Sequence, residues 1–342
     1  MPQYVTTPGR ARFVDHADTR LFAGVDVGGT KIAAVIADAR GGVVAQGTIP
    51  TQAQDGPAQA VERTSRLLHE LCSSQSASIL AVGIGLPGLV DPGTGIIVLL
   101  PNLPRQWWGF AFAEAFAAHT QIPAFLLNDA RMAALGEYTF GGKRGVRDML
   151  FVTVGTGIGG GLILDGKLRL GAFGAAGELG HQTILPDGAA CGCGSRGCLE
   201  TLVSGPALAA AGRALLRDGH APRLSELVHG DSDKITATQM AIAAENGDTA
   251  VAGAICQAAE YLGVGVANAV TITAVRDVVI GGGLSILGDL LLEPVRRVIL
   301  ERVRMFPSHT VNVSCSTLEE KCGALGGVAL AIEQYNPATG YA

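Results

Sequence analysis

The chain has 342 residues, 48% of them apolar and 16% charged, and a formal net charge of −5. Length and hydrophobic content allow two packed domains and exclude global disorder, while the acidic balance argues against a nucleic-acid or membrane-surface protein. Residues 1–20 lack an apolar stretch and read as a polar tail rather than a signal peptide, and no apolar run reaches the ~18 residues of a transmembrane helix, so a soluble cytoplasmic protein is expected.

In chain order, Leu21 to Asp26 is an apolar run ending in a carboxylate, Val27–Lys31 is a turn, and strands follow at Ile32–Ala37 and Val43–Ile49. Helical pattern runs over 56–72, an apolar strand over Ile79–Ile84, helical pattern again over 109–120, and a buried strand over Ala124–Leu127 before a helix that begins near Ala130. A polar, glycine-rich joint lies near 136–148. The order then repeats: a strand at Met149–Val154, a glycine turn, a return strand at Ile158–Leu164, a long helix near 250–269, a strand at Asp277–Ile280, and a helix over 285–303. Two halves that open on a glycine hairpin and then alternate strand and helix imply an α/β sheet in each, with ligands at the carboxyl ends of the strands.

The 48 glycines gather at strand ends rather than repeating periodically. Asp26-Val27-Gly28-Gly29-Thr30-Lys31 offers turn amides, a hydroxyl and an ammonium to phosphate oxygens, and Asp26 can hold Mg²⁺ directly or through water; the plainer reading is a β-turn with charged edges. Gly155-Thr156-Gly157-Ile158-Gly159-Gly160-Gly161 contains G-x-G-x-x-G, and so do residues 83–88. Neither opens a helix, so dinucleotide binding is set aside and a second phosphate hairpin is expected. Gly281-Gly282-Gly283 either lets a nucleoside approach the backbone or packs a helix tightly on the sheet. Asn128 and Asp129, between a strand and a helix, read as an N-cap, a general base, or both. Asn102, in Pro101-Asn102-Leu103-Pro104, reads as a ligand to a polar molecule or an Asx-turn, and Trp107 and Trp108 read as packing.

From His181 to Glu200 the chain carries one imidazole and the thiols of Cys191, Cys193 and Cys198, separated by glycines that leave no apolar run for a core to use. Three thiolates and an imidazole form a closed tetrahedral set suited to structural zinc, against plain thiols or a disulfide. Glu178 precedes His181 by three residues and shares its face on a helical turn. The other four cysteines are dispersed, and the odd total of seven favours a reducing compartment.

Together these motifs resemble the ROK family of sugar kinases and sugar-responsive repressors, in the hexokinase/actin superfamily, from about residue 21 to 332. The motifs that carry the resemblance are residues 26–31, 85–91, 128–130, 155–161, 177–181 and 191–200. It implies a two-lobed actin-like (ribonuclease H-like) α/β ATPase fold with a central ATP/sugar cleft and a small zinc loop at 181–200. The lobes would be 21–137, completed by a C-terminal helix at 324–336, and 138–323. Asp129 matches the base that takes the proton from the sugar hydroxyl. Asn102, Asn128, Asp129, Glu178, His181 and Glu200 match sugar ligands, and His181, Cys191, Cys193 and Cys198 match zinc ligands. The hairpins with Gly28, Gly29, Thr30 and Lys31 and with Gly155, Thr156 and Gly157 match the ATP phosphate sites, and Gly282 and Gly283 the adenosine side. A glucokinase-like enzyme using Mg·ATP to phosphorylate a hexose at O6, as a homodimer or homotetramer, is the expected activity. The Cys-x-Cys-x4-Cys loop also fits an N-acetylglucosamine or N-acetylmannosamine kinase. A ROK repressor is disfavoured because about 20 residues before Leu21 leave no room for a helix-turn-helix, and a chaperone or filament ATPase has no use for the zinc loop. The chain departs from the family at Arg131, where many members have asparagine, and in its longer 104–108 loop.

Overall fold

The computed structural model describes residues 20–73, 78–91, 93–100 and 103–336. Residues 1–19 of the expected tail, and Asn102, lie outside these. In chain order the first elements are β1 (Leu21–Val27), β2 (Lys31–Asp38), β3 (Val43–Pro50), α1 (Pro57–Cys72), β4 (Ile79–Leu86), β5 (Leu89–Asp91), β6 (Ile96–Leu99), α2 (Phe112–Thr120), β7 (Ala124–Asn128) and α3 (Asp129–Phe140). Then come β8 (Met149–Val154), β9 (Ile158–Leu164), β10 (Lys167–Arg169), α4 (Glu200–Val203), α5 (Gly205–Arg217), α6 (Pro222–Val228), α7 (Ala237–Glu245) and α8 (Thr249–Thr273). Last are β11 (Asp277–Gly281), α9 (Asp289–Arg302), β12 (Asn312–Cys315) and α10 (Cys322–Gln334). Two compact units result: residues up to Arg144 with Leu170–Ala175 and the chain from Lys321, and Gly145–Arg169 with Ala176–Glu320.

The first unit holds a sheet of order β3-β2-β1-β4-β7, antiparallel from β3 to β1 and parallel from β1 to β7. Helices α1 and α2 pack together, and α1 also lies on β2 and β3. On β1, β4 and α3 lies α10, which returns from the end of the chain. Because β1 is covered on both faces, six of its seven residues are buried, and it reads as an apolar run rather than an alternation. The second unit repeats the plan, β10-β9-β8-β11-β12, with the same switch from antiparallel to parallel at β8.

Helix α10 reaches the sheet because glycines line both sides of the contact. A methyl on Gly24 would overlap the carbonyl of Ala324, one on Gly83 that of Gly327, and one on Gly326 that of Met132 in α3.

Three expectations change. The helix expected at 285–303 is a 3-10 turn at Gly283–Leu287 followed by α9, the break falling at Gly288 with φ 53°. The helix expected from 109 begins at Phe112, after Gly109 with φ +75°. Helix α8 is long and apolar enough to cross a membrane by length and composition, which the sequence reading did not foresee. Half of that stretch is buried in the second unit, where Ile255, Leu262, Val266 and Val270 join the core.

Replacing Gly24 or Gly326 with alanine forces α10 off its neighbours. We expect a loss of at least about 3 kcal/mol in urea unfolding, the upper range for overpacking, whereas alanine at exposed Gly253, where a methyl meets nothing within 4 Å, should be neutral or stabilising.

Candidate active site and metal centre

Both glycine hairpins join a central strand to its antiparallel neighbour, β1 to β2 and β8 to β9, so they occupy equivalent positions in the two sheets. Each folds its first amide inward: Gly28 N–H donates to Lys31 O at 2.9 Å and Gly155 N–H to Gly157 O at 2.9 Å. The next two amides, of Gly29 and Thr30 and of Thr156 and Gly157, have no partner among the described residues. Successive amides left without a partner in a tight turn can form an anion cradle. Fully buried Thr51 props the first hairpin, its Oγ1 donating to Gly28 O at 2.7 Å and its N–H to Thr30 O at 2.9 Å. Nothing in the sequence marked Thr51, which follows β3 without any local motif.

Asp26 stands at the carboxyl end of β1, against the first turn of α10. A methyl on Gly323 would lie 2.5 Å from Asp26 Oδ2. Burial raises the carboxyl from 3.8 to about 6, and the nearby Lys31 ammonium opposes that rise. A buried carboxylate beside a turn of partnerless amides fits Mg²⁺, which takes one or two carboxylates together with substrate phosphates.

At the end of β7, Asn128 is an N-cap. Its Oδ1 accepts from the N–H groups of Ala130 and Arg131 at 3.0 and 3.1 Å and from Arg131 Nη1 at 2.9 Å, while Nδ2 donates to Gly88 O at 2.7 Å. Arg131 therefore has a visible use, pinning the Asn128 amide from within the core, where it is 1% exposed. Asp129 opens α3, with Oδ1 accepting from Ala130 N–H at 2.7 Å.

In the second unit Glu178 caps a 3-10 turn, Leu179–His181, whose three-residue period brings His181 Nε2 to 3.8 Å from Glu178 Oε2. His181 Nδ1 points the other way, 3.7 Å from Cys191 Sγ, and Cys193 Sγ lies 3.7 Å from Cys198 Sγ. The four ligand atoms all lie within 4.8 Å of one another. Sulfur ligands about 2.3 Å from zinc sit about 3.8 Å apart at tetrahedral corners, so the set fits that ion. No cysteine is in a disulfide. Burial, then the neighbouring thiols, push Cys198 up to about 12, while the Ser195 N–H lowers Cys193. A bound cation is what would bring Cys198 to the thiolate at neutral pH.

The loop has protein anchors besides the four metal-ligand side chains. Leu199 is fully buried, with Leu199 N–H donating to Gln182 O at 3.0 Å, and Gln182 is held on α8 by Gly265 O and Asn268 Nδ2. The sequence reading missed Gln182 and Asn268, which lie 86 residues apart. Glu200, at the end of the loop, accepts from Ile158 N–H at 2.8 Å. A methyl on Gly282 would lie 2.5 Å from Val154 O at the end of β8, whereas one on Gly283 meets nothing within 4 Å. Trp107 is buried and donates to Ala53 O at 3.0 Å, as packing, while Trp108 is 41% exposed.

Since the fold disfavours the Asp26 carboxylate, it favours the protonated form. The cost is absent below about pH 4, grows between about 4 and 6, and is complete above 6, at an order of 2–3 kcal/mol. Asp26→Asn should therefore unfold at higher urea than wild type at about pH 8, and the difference should shrink as pH falls toward 4. A constant difference across that range would show that charge burial is not its source.

A model described as the ROK family matches residues 22–334. The chain is 39% identical over 284 residues to a glucokinase of Streptomyces coelicolor, covering 81% of this chain and 86% of that enzyme. To a xylose repressor of Caldicellulosiruptor bescii it is 34% identical over 278 residues, 79% of this chain and 69% of the repressor. Among solved structures, a ROK family glucokinase from Streptomyces griseus in complex with glucose and AMPPNP matches with a TM-score of 0.80 at 33% identity, over 92% of this chain and 99% of that one. The fold is the actin-like ATPase fold of those enzymes. With its matched span reaching from β1 to the last turn of α10, this chain belongs to the ROK family.

Proposed function

We propose that the protein is an ATP-dependent glucokinase that transfers the γ-phosphoryl group of ATP to O6 of glucose. The observation that carries this reading is the duplicated hairpin, with two amides at each tip that have no partner among the described residues, combined with a carboxylate, Asp129, at the carboxyl end of a parallel strand. Kinship with glucokinases supports glucose, and N-acetylmannosamine kinases at 32% identity over 307 residues supply the second candidate substrate.

In this mechanism Asp129 accepts the proton of the O6 hydroxyl, with Oδ1 oriented by Ala130 N–H. O6 forms its bond to the γ-phosphorus as the bond to the ADP oxygen breaks, and the proton passes from Asp129 to solvent. The amides of Gly29, Thr30, Thr156 and Gly157, with Lys31, hold the phosphate oxygens. Asp26 would hold Mg²⁺, which supplies charge neutralisation at the phosphates. Glu178, His181 Nε2, Glu200 and Asn128 pair with sugar hydroxyls, and Gly282 and Gly283 border the adenosine. Zinc on His181, Cys191, Cys193 and Cys198 is structural, since four protein ligands leave no open position for substrate. Asn102 stays in the reading as a sugar ligand. Seven cysteines without a disulfide support a cytoplasmic setting.

An ADP-coupled assay across glucose, mannose, fructose, allose and the N-acetylhexosamines tests the substrate: the highest kcat/KM is expected for glucose, and activity confined to an N-acetylated sugar would replace it. Asp129→Asn should lower kcat by about 10²–10⁴-fold and leave glucose affinity within about threefold; near-normal kcat removes Asp129 from the base role. Elemental analysis should find about one zinc per chain, and chelation should lower both the thermal midpoint and glucose affinity. Full stability in a zinc-free chain would rule out the structural role.

A further inference from the structure

Glu200 makes a contact that sugar binding does not require. Its Oε2 accepts from Ile158 N–H at 2.8 Å, at the foot of the second phosphate hairpin, and its carboxylate fills the space where a side chain on Gly157 would begin. A side chain at position 157 would therefore displace the Glu200 carboxylate from this place. A second strut stands beside it, Gly205 N–H donating to Gly155 O at 2.8 Å. The path from Glu200 back to the metal ligands is short and stiff. Cys198 lies two residues upstream, and Cys198 O accepts from both the N–H and the Oγ1 of Thr201, at 3.0 and 2.7 Å. Leu202 N–H donates to Leu199 O at 2.9 Å, and Leu199 is fully buried. A displacement of Cys198 therefore reaches Glu200 through one hydrogen-bonded turn.

We propose that Glu200 is a positioning residue for the nucleotide as well as a ligand for the sugar: Oε2 braces the 155–157 phosphate hairpin through Ile158 N–H, Oε1 serves the sugar, and the Cys/His metal centre sets the position of both. The metal centre then governs nucleotide affinity from outside the nucleotide site. The inference rests on the kinase reading above.

Two variants separate the roles. Glu200→Gln keeps an oxygen for Ile158 N–H and alters the sugar ligand, whereas Glu200→Ala removes both. Titration calorimetry with Mg·ADP in the absence of sugar should show affinity about tenfold weaker in the alanine variant, the scale of one charge-assisted hydrogen bond, and within about threefold of wild type in the glutamine variant. Hydrogen exchange at the Ile158 amide should be slow in wild type and the glutamine variant and fast in the alanine variant. Stripping the metal from the wild-type chain should weaken ADP binding and speed Ile158 exchange, and should add little to the ADP loss in the alanine variant, because the two changes share one path. Wild-type ADP affinity in a folded alanine variant, or Ile158 exchange unaltered by it, overturns the proposal. If the alanine variant does not fold, Ile158 exchange in the metal-stripped wild-type chain decides: faster exchange supports the brace and unchanged exchange overturns it. A wild-type chain that binds no ADP refutes the kinase reading instead, and Ile158 exchange still decides whether the brace exists.

Discussion

Helix α10 approaches β1, β4 and α3 more closely than any side chain would permit, and the first unit is organised around that approach. Gly24 and Gly83 clear the sheet, Gly136 clears α3, and Gly323, Gly326 and Gly327 clear the helix. Backbone is packed against backbone, so the position of the helix is set with little slack. Two carboxylates assigned roles in the proposed chemistry inherit that precision. Asp26 ends β1 with its carboxylate against Gly323, and Asp129 begins α3, whose buried face meets α10 along its length. Asp26 lies within this close approach, and its burial raises the carboxyl to about 6.

The second unit reaches comparable precision in another way. Its candidate metal ligands and Glu178 lie in a long stretch between β10 and α4 that contains only short 3-10 turns and no strand or α-helix. Position there comes from cross-links: paired bridges at Thr183–Cys198 and Ala190–Arg196, the Gln182 anchor on α8, and the four-ligand centre. A loop with so little apolar surface needs such fastenings, because burial alone cannot offset the entropy of ordering it.

Much of this was legible in the sequence wherever the signal was local. Asp26 to Lys31 and Gly155 to Gly161 stand between apolar runs, which predicts hairpins, and the spacing of His181, Cys191, Cys193 and Cys198 predicts a four-ligand set. Asn128 read as a cap, and it is one. Partners distant in sequence were not legible. Thr51 beneath Gly28, Ile158 beneath Glu200 and Asn268 on Gln182 carry no motif, because their meaning lies in what the fold brings to them. The helices α5, α6 and α7 lie in a stretch where no motif directs attention, and the 3-10 turn at Gly283–Leu287 reads as helix because the backbone reversal at Gly288 is invisible to apolar periodicity. Local pattern leaves Asn128 open as a cap or a ligand, and its contacts show the cap to be formed.

The route of α10 has a consequence for biosynthesis. The first unit is encoded first, yet it lacks its inner helical layer until Cys322–Gln334 have left the ribosome. Until then β1 and β4 expose an apolar face with nothing to cover it, while most of the second unit, contiguous from Ala176 to Glu320, is already complete. The nascent chain should therefore mature in reverse order, its later half first, and its earlier half should be the client that needs shielding from aggregation during translation.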